Sequence, residues 1–228
     1  MNESLSQYFE RVIDFAPKLI ESLQETGIML GLASIAAILL GIPLGTLLYL
    51  TAKGRPAENR WIYQLCNVFV NIVRSFPFLL LVVAMQPAIR ALYGRATGDP
   101  IAASFPMMLI AIALYARFVE QSLLEIPKGV TEVANAMGAS TSQLVRKFLF
   151  VESRSSLIIG FTTAFVSFIS YSTIMGVVGG GGIGDFAIRY GYQRYETDIM
   201  YTAIVVIIIF VQIIQWLGLK LAKKLDKR

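Results

Sequence analysis

The chain has 228 residues, of which 56% are hydrophobic and 15% are charged, and its formal net charge is +5. A mean hydropathy of +0.64 is too high for a soluble domain, and the basic residues stand at the ends of apolar runs, which argues against nucleic-acid binding. With no His and only one cysteine, Cys66, the sequence offers no disulfide framework, no zinc cluster and no Ser-His-Asp triad.

Residues 1–25 predict an amphipathic helix that lies on the membrane surface outside the cytoplasm. Apolar residues recur at helical three-four spacing from 4 to 23, and the acidic residues lie off that face. The segment is too polar to span a bilayer, and we expect Pro17 to interrupt it. A soluble helix packed on a neighbouring subunit is the alternative. No basic n-region precedes an apolar core after Met1, so no cleaved signal peptide is expected.

Five apolar runs follow, and each is long enough to cross the bilayer. About 20 helical residues are needed to cross a hydrocarbon core of about 30 Å. The sequence therefore predicts one membrane domain, 26–228, with five transmembrane helices. The predicted spans are 26–50, 61–85, 101–118, 157–178 and 199–219.

The first span contains two Gly-xxx-Gly pairs, Gly27 with Gly31 and Gly41 with Gly45. Small residues at this spacing allow helices to approach closely in lipid. We expect both pairs to pack within one subunit, with a dimer seam as the alternative.

The second span contains an arginine, Arg74, followed by Ser75-Phe76-Pro77. An arginine at this depth costs on the order of 2.5–3.5 kcal/mol unless it faces protein or a water-filled cavity. Pro77 loosens the helix and frees carbonyl groups nearby. Arg74 is therefore interpreted either as a pore or gate residue or as a structural arginine that pairs with a carbonyl or an acidic neighbour.

A polar segment, 125–155, separates the third and fourth spans, and it reads as two short helices joined by a bend. Pro127 suits the first turn of a helix, and Gly138 suits the left-handed residue that ends one. Ser140 and Gln143 have the spacing of a capping box. On these residues alone, the segment is either an ordinary cytoplasmic hairpin or a surface that meets a partner.

The fourth span carries hydroxyl groups on one face, because Thr163, Ser167 and Ser170 follow the spacing i, i+4, i+7. Such hydroxyls either bond across helices or line a polar passage.

A glycine segment, 176–185, follows the fourth span. It looks at first like a phosphate cradle, but it lacks the Lys-Ser/Thr pair of a P-loop. Its glycines predict a tight re-entrant turn or a close backbone approach at the extracytoplasmic mouth. The residues assigned to this mouth are Gly180, Gly181, Gly182, Gly184 and Asp185.

Basic residues are distributed unequally between two sets of loops, thirteen against six. The positive-inside rule then places segment 125–155 and the C-terminus in the cytoplasm and the N-terminus outside. The larger set comprises Lys53, Arg55, Arg60, Arg117, Lys128, Arg146, Lys147, Arg154, Lys220, Lys223, Lys224, Lys227 and Arg228.

The polar segment closely resembles the EAA loop of ABC importer permeases, which docks into the ATPase subunit. That resemblance implies a coupling role for six residues. The family usually has Leu-Pro about a dozen residues after the glycine, where this chain has Phe150-Val151, so the break in the second helix is not located by the motif. The six coupling residues are Glu132, Ala134, Ala136, Gly138, Ala139 and Ser140.

The resemblance to ABC permeases covers nearly the whole chain from the first span to the C-terminus. It is most specific in Gly179 to Met200, which is similar to the methionine-importer branch of that family. It implies an all-α, five-span subunit of a homodimer in the bacterial inner membrane. Two cytoplasmic ABC ATPase subunits and an extracytoplasmic methionine-binding protein are its implied partners, and lipid surrounds it. The subunit itself is expected to catalyse nothing and to hold no cofactor or metal, because it has no Walker motif.

Methionine is zwitterionic with an apolar tail, so its passage needs few charges. The hydroxyl face of the fourth span suits such a passage. The candidate pathway residues are Thr163, Ser167, Ser170, Met175 and Arg74.

Other functions remain open on the sequence. They are a permease for another small amino acid or solute, and a self-sufficient channel or ion-driven carrier in which Arg74 is a functional charge. The absence of a convincing internal repeat counts against an inverted-repeat carrier. An intramembrane enzyme ranks last, because the spans contain no His and no paired carboxylates.

Overall fold

The fold is a bundle of helices, and the computed structural model describes residues 2–226, with side chains for residue 8 and for 10–226. Lys227 and Arg228, two of the basic residues used to predict the orientation, lie outside the described residues. No strand occurs in the described part of the chain. The helices are α1 Asn2–Ala36, α2 Ile42–Thr51, α3 Arg60–Ser75, α4 Phe78–Tyr93, α5 Pro100–Leu124, α6 Lys128–Ala136, α7 Thr141–Gln143, α8 Phe150–Val177, α9 Gly182–Phe186 and α10 Thr197–Leu225, with π-helical segments at Ala37–Gly41, Leu144–Leu149 and Ala187–Tyr192.

Four helical stretches within residues 2–226 are long and apolar enough to cross a membrane, and α3 with α4 forms a fifth span if the two are counted together. The second span is therefore two helices rather than the single helix expected over 61–85. Pro77 explains the break, because a proline disfavours helical geometry in the residue before it. Phe76 has φ −68° and ψ 128°, an extended conformation.

The N-terminal segment is continuous with the first span. α1 passes through Pro17 without a break, so the expected interruption there is wrong. From Asn2 to Thr51 the chain stays helical, a length of about 75 Å at 1.5 Å per residue. Since the hydrocarbon core is only about 30 Å thick, part of this helix must lie beyond it.

The π-helical segment Ala37–Gly41 lies directly before Pro43 in α2. Proline has no N–H to donate, and its ring crowds the preceding turn. A π-bulge is a common way for a helix to absorb such a local disruption.

The two glycine pairs of this helix have different surroundings. A Cβ atom on Gly45 would lie 2.7 Å from Val119 Cβ, and one on Gly41 would lie 3.1 Å from the Ile112 carbonyl oxygen, so this pair packs against α5 as predicted. Gly27 and Gly31 have no described atom within 4 Å of such a Cβ, so the expectation that they also pack within the subunit is wrong.

The chain divides into two compact units. The first comprises Met1–Ser34, Pro77–Met108 and Phe165–Ile213, and the second comprises Ile35–Phe76, Leu109–Ala164 and Ile214–Arg228. The glycine segment belongs to the first unit, and the polar segment with α6 and α7 belongs to the second.

Candidate functional site

The polar segment forms a rigid bend between α6 and α7. α6 follows Pro127, which occupies the N-cap position, one residue before the predicted first turn. Gly138 has φ +69°, so the predicted left-handed helix end is confirmed. The N–H of Gly138 donates to the Asn135 carbonyl and the N–H of Ala139 donates to the Ala134 carbonyl, each at 3.0 Å, which is a Schellman motif.

The start of α7 is fixed by the predicted capping box, which is confirmed. Ser140 N–H donates to Gln143 Oε1 at 2.9 Å, and Gln143 N–H donates to Ser140 Oγ at 3.3 Å. Only Ala139 separates this cap from the glycine that ends α6. Both sides of the bend are thus held by local hydrogen bonds.

Two apolar side chains are exposed at the end of α6, beside the exposed polar residues Glu132 and Asn135. Val133 is 55% exposed and Met137 is 71% exposed, and they stand four residues apart, so they lie on one face. Ala134 is fully buried, so its small size serves packing within the chain rather than the approach of another surface. Glu132 and Ala136 are exposed.

The helix after the bend has no break. Helical backbone runs from Thr141 to Val177, through the π-helical segment Leu144–Leu149 and through Phe150-Val151, where the resemblance expects Leu-Pro. Without a proline, every residue from 144 onward keeps its N–H donor, and the helix continues.

The two helices that flank the bend, α5 and α8, are hydrogen-bonded to each other. Tyr115 Oη donates to the Leu157 carbonyl at 3.2 Å. Ser156 Oγ lies 3.0 Å from both Ser122 Oγ and Glu125 Oε2. The helices on either side of the bend are therefore joined to each other by side-chain hydrogen bonds.

A buried polar cluster lies in α5, and the sequence analysis missed it. Arg117 and Glu120 form an ion pair whose side chains are 17% and 6% exposed. The second guanidinium nitrogen of Arg117 donates to Asn67 Oδ1 at 2.8 Å and to Asn71 Oδ1 at 2.7 Å, which ties α5 to α3. The prediction that Arg117 belongs to a loop is wrong, because α5 continues to Leu124.

The sequence contains one sign of this cluster, which is the spacing of its residues within each helix. Asn67 and Asn71 lie on one face of α3, and Arg117 and Glu120 lie on one face of α5. The sequence does not say that these two faces meet.

The predicted pathway residues on α8 have varied surroundings. Thr163 Oγ1 donates to the Ile159 carbonyl at 3.0 Å, and Ser170 Oγ donates to the Val166 carbonyl at 3.4 Å; both side chains are exposed. Ser167 is half-buried. Met175 is only 2% exposed and packs against Gly180, so its side chain does not reach solvent in this structure.

Arg74 lies in the last turn of α3 and is exposed. A cation at this position interacts favourably with the carbonyl groups at the helix end. Its location at the break before α4 is compatible with both interpretations of the sequence, a pore or gate residue and a structural arginine.

The glycine segment folds tightly in the first unit. Gly180 N–H donates to the Met175 carbonyl and Gly98 N–H donates to the Gly179 carbonyl, both at 2.8 Å. Asp185 pairs with Arg189 at 2.9 Å. The predicted close backbone approach occurs, because a Cβ on Gly184 would lie 2.5 Å from Thr173 Cα.

The described residues contain no group of three or more His, Cys, Asp or Glu side chains that could hold a metal ion. The polar side chains instead join helices to one another.

Comparison with known proteins identifies the chain's relatives. The family described as "Binding-protein-dependent transport system inner membrane component" matches residues 41–227. The chain is 39% identical over 225 residues to the probable D-methionine transport system permease protein MetI of Vibrio cholerae, covering 99% of this chain and 98% of that protein. It is also 39% identical over 183 residues to the methionine import system permease protein MetP of Bacillus subtilis, covering 80% and 82%.

Solved structures agree with these relatives. A chain from an inward-facing conformation of the MetNI methionine ABC transporter matches with a TM-score of 0.90 and 34% identity, covering 94% of this chain and 99% of that chain. A chain from an amino acid ABC transporter matches with a TM-score of 0.72 at 15% identity, which shows the shared fold alone. The predicted all-α, five-span fold is confirmed.

The Arg117–Glu120 pair is expected to contribute strongly to stability. Glu120→Gln removes the carboxylate from a half-buried guanidinium that keeps Asn67 and Asn71 as acceptors, and losing one hydrogen bond to a charged group costs about 1.5–3 kcal/mol. Arg95→Gln is the control, because it removes an exposed pair with Asp99 that contributes at most about 1 kcal/mol. Thermal denaturation in detergent, followed by size-exclusion chromatography, measures both. Equal midpoints for the two variants would contradict the role assigned to the buried pair.

Proposed function

The chain belongs to the family of binding-protein-dependent transport system inner membrane components, and from that premise we propose that it is the permease subunit of an ATP-driven importer of methionine or close analogues. The subunit works as a homodimer with two cytoplasmic ATPase subunits. An extracytoplasmic binding protein delivers the solute. In this proposal the chain spans the bacterial inner membrane, with its N-terminus outside and α6 in the cytoplasm.

The observation that carries the proposal is the pair of exposed apolar side chains at the end of α6, a short helix between two membrane-spanning helices. Val133 and Met137 supply the i, i+4 anchors by which an amphipathic helix enters a hydrophobic groove on a partner. The polar residues exposed beside them, Glu132 and Asn135, suit the rim of such an interface. A groove on the ATPase subunit accounts for this exposure.

The mechanism is mechanical coupling. Nucleotide binding closes the ATPase subunits, and α6 moves with the surface on which it docks. The Schellman motif at Gly138 and the capping box at Ser140 keep the bend stiff, so the movement passes to α8. Tyr115 and Ser156 pass it to α5 through their hydrogen bonds. The spans then alternate between inward and outward openings.

Hydroxyl groups on α8 support a passage for a zwitterion with an apolar tail. Thr163 and Ser170 are exposed, and the hydroxyl group of each donates to a carbonyl of its own helix, so this face of α8 is polar without carrying a charge. Ser167 completes this face of α8. Met175 is buried, so in this proposal it supports the glycine segment rather than contacting the solute.

Reconstitution tests the function directly. Proteoliposomes that contain the chain, its ATPase subunit, the methionine-binding protein and ATP are expected to accumulate labelled methionine, whereas liposomes with the chain alone are not. An ATPase subunit without its Walker lysine is the control. Accumulation by the chain alone would show a self-sufficient carrier or channel and overturn the proposal.

Coupling depends on the shape of the bend at Gly138. Gly138→Val forces a β-branched residue into positive φ, and we expect methionine uptake to fall at least tenfold while ATP hydrolysis continues. Gly54→Val is the matched control, because Gly54 has φ +75° and equally open surroundings in a different loop. Glu132→Lys is expected to uncouple in the same way. Full uptake and undiminished co-purification of the ATPase with the Gly138 variant would refute the role of the bend.

Passage along α8 depends on small side chains. Ser167→Phe and Ser170→Phe are expected to slow methionine uptake at least tenfold without releasing the ATPase subunit, because the bulk obstructs the solute. Ser170→Ala is the control that removes the hydroxyl without adding volume. Normal uptake by both phenylalanine variants would remove this face of α8 from the pathway.

A further inference from the structure

The first helix and the short helix α9 are joined by two hydrogen bonds between residues 157 positions apart. Gly182 N–H donates to Glu25 Oε2 at 2.6 Å, and Ile183 N–H donates to Thr26 Oγ1 at 2.9 Å. The N–H groups at the start of a helix have no partner inside it. α1 therefore supplies the N-terminal cap of α9, and one of its two bonds is charge-assisted.

The glycine segment is shaped to let α1 come this close. A Cβ on Gly181 would lie 2.6 Å from Glu25 Oε2, and a Cβ on Gly182 would lie 2.7 Å from Met29 Cε. Both glycines also have positive φ, +80° and +83°. The positive φ angles favour glycine at both positions, and the absence of a Cβ lets the ends of the Glu25 and Met29 side chains lie against the backbone.

Apolar side chains continue the same contact. Phe15 on α1 packs edge-on against Phe186, with ring centroids 6.3 Å apart, and against Tyr190, at 5.6 Å. Ile183 and Phe186 are 2% and 1% exposed. Ile183 and Phe186 lie in an apolar cluster with Ile199 and Ala203 of α10, and Val12, Phe15 and Leu19 of α1 pack against this cluster.

The part of α1 that makes these contacts lies outside the region that matches the family, which begins at residue 41. The residues before α9 are held by backbone hydrogen bonds: Gly180 N–H donates to the Met175 carbonyl, and the Gly179 carbonyl accepts from Gly98 N–H. Movement of α9 away from α1 breaks the bonds of Glu25 and Thr26 and separates Val12, Phe15 and Leu19 from the apolar cluster that contains Ile183 and Phe186. Gly179, Gly180 and Gly181 directly precede α9 and give the backbone there more conformational freedom than other residues would.

We propose that Glu25 and Thr26 are a latch that holds α9 against α1 and keeps the extracytoplasmic mouth shut until the binding protein docks. This inference rests on the proposed function. Glu25 and Thr26 are positioning residues in it, since they hold backbone N–H groups and contact no solute. Weakening the latch raises the fraction of molecules in which α9 has left α1.

Cysteine labelling tests the latch without requiring transport. Met29→Cys in a Cys66→Ala background places the probe under Gly182, at a position that is fully buried. The chain, assembled with its ATPase subunit in nanodiscs, is treated with a water-soluble maleimide. Adding Glu25→Gln or Thr26→Val is expected to speed labelling about tenfold, and Thr26→Ser, which keeps the hydroxyl, is expected to label like the parent.

A second probe separates latch opening from general loosening. Ala113→Cys lies in the other unit and is fully buried, so it reports on unfolding. Faster labelling at residue 29 with unchanged labelling at 113 supports the latch. Unchanged labelling at 29, or equal acceleration at both positions, overturns it.

The rate of ATP hydrolysis tests whether the latch acts in the transport cycle. Without the binding protein, complexes that carry Glu25→Gln are expected to hydrolyse ATP about tenfold faster than the parent, because the mouth can open before the binding protein docks. Faster labelling at residue 29 with unchanged hydrolysis would separate α9 from the transport cycle and overturn the proposed role. Failure of the proposed function would appear differently, as uptake by the chain alone.

Discussion

A polar group among apolar helices must find its partner inside the protein, because hydrocarbon offers none. Arg117 satisfies this constraint with Glu120 and the amide oxygens of Asn67 and Asn71. The first N–H groups of α9 satisfy it with side chains of α1. In both places, polar groups on one helix require hydrogen-bond partners, and this requirement determines which other helix packs beside it. Apolar packing alone is less selective, since lipid tails are as apolar as the side chains.

The features that the sequence predicts well are those decided within a few residues. Gly138 ends one helix and Ser140 with Gln143 begins the next, and both signals depend on backbone geometry that neighbouring residues determine. The number of spans follows from length and hydropathy in the same local way. The bend between α6 and α7 is therefore visible in the sequence.

The features that escaped prediction depend on which helices meet. Arg117 looks like the end of a span until α3 supplies its acceptors. Pro17 looks like a helix end, although the chain remains helical through it. Glu25 reads as one more acidic residue on an amphipathic helix, and its acceptor role depends on a segment 157 positions later. Local spacing in the sequence encodes neither the partners of Arg117 and Glu25 nor the continuity of the helix through Pro17.

The two glycine pairs of the first span show how one motif can meet different spatial requirements within one helix. A substitution at Gly45 adds at least one carbon where Ala116 and Val119 already stand, whereas one at Gly31 adds it to empty space within the described chain. The fold of the single subunit therefore limits residues 41 and 45 to a side chain no larger than hydrogen. At 27 and 31 the described residues impose no such limit, and the open space there can admit a neighbouring molecule.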